Sequence, residues 1–276
     1  NVIRLLFRVF FYSISIFSIL SILGYHSVNV VKDILLIAPV FTQRYWFLTM
    51  YIVLMLLAPY LNLFINHLSQ KQKKNFAVVL LFLFYIYPSI SICINAPVIT
   101  KVNFICLYYL GSYIKCQRAY RLEKYKYLLI YIISSILLFF SNHILSIIFG
   151  FPFNGFINYN TIFCLISSIS LFCFFESLNF LNVFVNRLSK ASLWVYVIHA
   201  HPIIWDLLFS LDSGYKINLH GVYYLIIIIF IPIVVYFATY IINLIYEFVF
   251  GRLESKIIVY LSEIKVVKRI CILLKV

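Results

Sequence analysis

Between Ala191 and Asp206 the sequence reads ASLWVYVIHAHPIIWD, which sets a tyrosine, two histidines, a proline and an aspartate in an apolar run. Histidine is the side chain that takes up or releases a proton near neutral pH, and a carboxylate can orient it or pair with a cation. Tyr196, His199 and Asp206 are three and seven residues apart, so on a continuous helix they share one stripe. His201 falls about 200° round the helix from His199 and faces elsewhere, in company with Trp205. Pro202 has no N–H to donate and its ring clashes with the carbonyl of Ile198, so a bend is expected there. A carbonyl freed by that bend needs protein or water beside it, which places a polar cavity along the helix. On this reading His199 and Asp206 are the candidate catalytic residues, and Tyr196 and His201 line the substrate. The plainer reading makes His199 a neutral interhelical hydrogen-bonder, with Asp206 reaching the membrane interface.

Three more residues lie where substrate could be held. Arg44 precedes Tyr45 and Trp46, and an Arg at that position can hold an anion or pair with Asp206. Trp46 is a candidate substrate contact, although an aromatic belt accounts equally for Tyr45 and Trp46. His143, beside Asn142, is a candidate at the same outer side. The basic stretch Lys115–Lys126 reads as a topology signal, or as contact with a phosphate-bearing donor in the cytosol. The six cysteines form no CxxC pair and lie mostly in apolar runs, which reads as small hydrophobes; no metal is expected. No Gly-rich phosphate loop, zinc motif or nucleophile elbow is present.

The elements that must position these groups follow from composition. Of 276 residues, 64% are hydrophobic and 11% charged, against about 25% charged in soluble domains. The expected fold is an all-α polytopic transmembrane bundle of about eight spans: Val9–Leu23, Tyr45–Ile65, Phe76–Ile94, Val98–Ile114, Tyr127–Leu145, Thr161–Leu178, Ala191–Leu211 and Val222–Phe250. With the N-terminus inside, 18 of the 22 Lys and Arg fall on the inner side, leaving Lys32, Arg44, Lys101 and Lys216 outside. Both termini are therefore expected in the cytoplasm. Arg4 and Arg8 count among the inner topology signals. The net charge of +14 is spread over short clusters between apolar runs, which excludes nucleic acid and favours membrane lipid as its partner. Ile34–Phe41 is too short to span and is expected at the outer interface. Residues 1–250 form the membrane bundle, and 251–276 a basic tail, either amphipathic on the inner leaflet or a short helical extension.

Three stretches go further. The run QRYWFLTMYIVLMLLAPYLNLFINHLSQKQ (Gln43–Gln72) resembles a helix of the membrane-bound acyltransferase-3 family. FICLYYLGSYIK (Phe104–Lys115) is similar to a second helix of that family. INYNTIFCLISSISLFCFFESL followed by VNRLSKASLWVYVIHAHP resembles its closing section. Their order and spacing match over nearly the whole chain. The resemblance implies ten spanning helices with both ends cytoplasmic, so two are expected upstream of the eight seen. It places His199 on the histidine, and Trp46 on the tryptophan, of the matching motifs.

It further implies a bacterial inner (cell) membrane enzyme that moves an acetyl or succinyl group from acyl-CoA to a sugar hydroxyl. The acceptor would be a surface polysaccharide or a lipid-linked glycan. The family's catalytic Arg-x10-His pair does not lie in the first span, so this chain alone is expected to be inactive or severely impaired. The sequence leaves the oligomeric state open. The alternative is a lipid-linked oligosaccharide flippase or small-molecule transporter, which favours inverted repeats and broken helices in both halves. One such helix is seen, without a partner in the other half.

Overall fold

The computed structural model describes residues 2–24, 40, 45–94, 103–116, 122–178, 181–205 and 222–264, and of 222–228 the backbone alone. Among them there are helices and turns and no strand. The reason is solvent: in hydrocarbon every backbone polar group must bond within its own segment, and a helix achieves that. Eight helical segments follow in order: α1 Val2–Ile22, α2 Trp46–His67, α3 Gln70–Cys93, α4 Asn103–Cys116, α5 Lys124–Phe149, α6 Ile162–Ser177, α7 Val183–His199 and α8 Val222–Glu263. One falls on each expected span. Six of the described helices are long and apolar enough to cross a membrane, α6 when taken with the turn before it as Gly155–Ser177; α4 and α7, with 14 and 17 residues, are shorter. The protein is a polytopic helical membrane protein.

The chain divides into two compact units, Asn1–Leu56 with Leu181–Val276, and Leu57–Phe180. In the first unit, α1 buries Leu5, Arg8, Val9, Tyr12 and Ser13, a single helical stripe that includes a charge. Around it pack Tyr45, Leu48 and Ile52, then Val197 and Ile198 of α7 and Tyr246 of α8. Ala191 and Val195 of α7 pack on Tyr240 of α8, and the Tyr236 hydroxyl donates to the Leu188 carbonyl at 2.9 Å. Helix α8 runs through Phe250 and Gly251 without interruption to Glu263.

In the second unit, Ile65, Ala77, Tyr85, Cys106, Tyr109, Leu110 and Leu165 form a core drawn from α2, α3, α4 and α6. Helix α3 begins with a capping box at Ser69 and Gln72 and widens to a π turn over Phe82–Ile86. Pro88 explains the widening. It has no N–H for the Phe84 carbonyl, so the ladder slips by one and the Tyr87 N–H donates to Phe82 instead. Helices α5 and α6 are joined through small polar side chains, Ser134 Oγ donating to the Phe163 carbonyl at 2.8 Å and Ser167 Oγ to Ser134 Oγ at 3.0 Å. With no hydrophobic drive between helices in lipid, such contacts and close packing hold them, at about 0.6–2 kcal/mol each.

Candidate functional site

The histidines lie where α7 ends. Asn182 caps its start, accepting from the Phe184 and Val185 N–H groups. Its end is set by Pro202. The helix stops at His199, Ala200 leaves it at φ −84° and ψ 5°, and a new turn starts after His201, the Trp205 N–H donating to the His201 carbonyl at 2.8 Å. The expected single bent helix from Ala191 to Leu211 is thus a helix that breaks. The residue before a proline is pushed out of the α region, and Pro202 suits the first position of a new turn.

The break leaves last-turn carbonyls to satisfy, and three of them find donors. Ala200 N–H serves Tyr196, and His201 N–H takes Ile198, at 3.0 and 3.3 Å. Val197 is capped from another element, by the Tyr45 hydroxyl at 2.7 Å. Tyr45 is wholly buried, so its role is not that of an interfacial belt residue.

On α7 itself, His199 Nδ1 lies 2.8 Å from the Val195 carbonyl. A carbonyl only accepts, so that nitrogen carries the proton and Nε2 is the basic one in the neutral ring. The Tyr196 ring stands edge-on to His199 at 5.9 Å, and Phe47 stands edge-on to Tyr196 at 5.4 Å. Trp46 beside it is 45% exposed. His201 is fully buried, with Nε2 3.5 Å from the Ser13 hydroxyl of α1 and the Tyr45 ring edge-on at 6.5 Å. The two imidazoles therefore point to different surroundings, as their spacing requires. Tyr196, His199, His201 and Trp46 all belong to the first unit. His143 belongs to the second, exposed and stacked on Phe139. Arg44 and Asp206 lie outside the described residues, so the stripe is followed only from Tyr196 to His199.

Two features escaped the reading of the sequence. The first is a buried charge cluster in the first unit. Arg8 Nε and Nη2 both donate to Glu254 Oε2, at 3.0 and 2.8 Å, and Nη1 to Glu247 Oε1 at 3.2 Å. Arg4 Nε meets Glu254 Oε1 at 3.2 Å, and the Tyr246 hydroxyl donates to Oε2 at 2.9 Å. The Arg8 guanidinium also lies over the Trp194 and Tyr246 rings, 4.4 and 4.9 Å from their centres. The spacing Asn243, Glu247, Glu254 was the available signal, since steps of four and seven share a helix stripe. Nothing in it named Arg8 as the partner.

The second is a cleft of about 870 Å³ in the second unit. Helix α4 turns Asn103, Cys106 and Tyr109 to the core and Leu107, Tyr108, Gly111 and Lys115 to this cleft. Phe172 and Glu176 of α6 line the facing wall, and the Tyr108 hydroxyl donates to Asn62 Oδ1 at 2.8 Å.

The sequence model of the acyltransferase-3 family, described as an acyltransferase domain, matches residues 1–250. No curated protein and no solved structure matches the chain.

Proposed function

The chain belongs to the acyltransferase-3 family, and from that membership we propose that it moves an acetyl or succinyl group from acyl-CoA to a sugar hydroxyl. The acceptor is a surface polysaccharide or its lipid-linked precursor, and the protein sits in a bacterial cell membrane. The match over residues 1–250 carries this reading. The end of α7 supplies chemistry that fits it. Attack of a hydroxyl on a thioester carbonyl forms the ester C–O bond, breaks C–S, and requires the hydroxyl proton to leave. His199, with Nδ1–H held by Val195, presents Nε2 as the acceptor for that proton. Tyr196 stands edge-on to it as aromatic surface against which a sugar ring can lie, Trp46 is assigned to the same acceptor, and Tyr45 holds the helix end by its bond to Val197. His201, Arg44 and Asp206 are assigned to the same acceptor side, and His143 to substrate contact in the other unit.

The test is direct. Membrane vesicles carrying the chain, with or without any adjoining upstream frame, are given acetyl-CoA or succinyl-CoA labelled in the acyl group. Label recovered in base-labile esters of glycan supports the reading. If label stays wholly with the donor in both preparations while a labelled glycan changes sides of the vesicle, the chain is a transporter and the proposal fails.

A further inference from the structure

We propose that Arg8 is a positioning residue for the transfer reaction, held by Glu254 of the last helix so that it fixes the rotation of α7 and hence the aim of His199. The inference rests on the acyl-transfer reading and adds to it a role for the chain beyond Phe250. Helix α7 is 17 residues long and ends in the break at Pro202, so packing along its length must fix its orientation. On the α8 side it has Ala191 and Val195 against Tyr240, and the Tyr236 bond to Leu188. Near its end it has the Tyr45 bond to Val197. Between these anchors Trp194 meets the Arg8 guanidinium at 4.4 Å. Trp194 precedes His199 by five residues, about 140° round the helix, so a clamp on Trp194 sets which way His199 turns.

The clamp is itself held. Glu254, 2% exposed, takes two Arg8 nitrogens, the Tyr246 hydroxyl and Arg4, while Glu247 takes the third Arg8 nitrogen. Tyr246 covers the guanidinium beside Trp194, at 4.9 Å. Asn243 extends the same stripe, donating to Glu247 at 3.3 Å and accepting from Tyr12 at 2.9 Å. A buried ion pair adds little net stability over an apolar one, yet removing one partner leaves a charge stranded. Such a pair is therefore better suited to fixing geometry than to adding strength. Lysine cannot replace Arg8 here, because a single ammonium does not place two N–H groups on one carboxylate oxygen while lying flat on an indole.

Charge reversal tests this in cells lacking the native locus, complemented with the full reading frame. Base-labile glycan ester is measured per folded chain, with membrane abundance and detergent melting temperature taken in parallel. Arg8→Glu and Glu254→Arg are each expected to cut ester at least tenfold per folded chain, and Arg8→Lys severalfold. The double reversal re-pairs the charges but leaves no guanidinium at position 8 to lie on Trp194, so it should stay as low as Arg8→Glu. Arg252→Glu, exposed on the same turn of α8, should match wild type. Three results overturn the proposal: single reversals that act like wild type, ester that falls only in step with abundance, or a double reversal that restores it. If wild type itself restores no ester, the acyl-transfer reading falls and this inference with it. That outcome is separate from a working wild type with harmless reversals.

Discussion

Removing the His199 imidazole takes away a side chain whose basic nitrogen is set by a bond within its own helix, Nδ1–H to Val195. A positioned base contributes about 10²–10⁴-fold in rate, so His199→Ala should lower glycan ester by that factor with the protein still in the membrane. Ester at wild-type level in the alanine variant would show that the proton goes elsewhere. Tyr45→Phe probes a different quantity. It deletes the cap on the Val197 carbonyl and leaves a buried acceptor unpaired, at about 1–3 kcal/mol. The expected result is a lower melting temperature in detergent, and an unchanged one would mean that the carbonyl finds another donor. At this scale the sequence was partly legible. Residue type singled out His199, because an ionisable group in a spanning helix is conspicuous. It misread Tyr45, whose aromatic ring at a helix start looks like any interfacial belt residue until Val197, 152 positions away, is found beside it.

Helices were legible from apolar run length, and every expected span carries one. Their breaks were less so. Pro202 announced a bend, but whether α7 bends or ends depends on donors for its last carbonyls, and those come from Ala200, His201 and Tyr45. Pro202→Ala returns an N–H to the Ile198 carbonyl and lets the helix run on. That should turn His201 away from Ser13 and cut ester content while abundance holds. An unaltered ester level would mean that the break has no part in the reaction. Gly155, in the turn before α6, gives a second test. A methyl there presses into Phe153 and Ile92, both buried, and overpacking costs about 1–3 kcal/mol. Gly155→Ala should therefore melt earlier. Helix faces were the illegible part. Segments apolar all round carry little amphipathic signal, so the stripe of α1 that buries Arg8 could not be chosen from α1 alone. Its partner Glu254 is 246 positions away.

Across the whole molecule, the distribution of Lys and Arg fixes an expected topology that native cysteines can read. Cys93 at the end of α3 and Cys116 at the end of α4 are both exposed. With the remaining cysteines replaced by serine, an impermeant maleimide should reach Cys93 from outside intact cells and Cys116 only after the membrane is opened. Labelling of both from one side would mean that α4 does not cross, and would overturn the inside placement of both termini. The claim on which everything else depends is acyl transfer to a surface glycan. The most direct measurement is mass spectrometry of base-labile acyl esters on that glycan, in cells deleted for the locus and complemented with wild type or His199→Ala. The account predicts that deletion removes a set of acetyl or succinyl esters, that the wild-type reading frame restores them, and that the His199 variant does not. Esters unchanged by the deletion would contradict it.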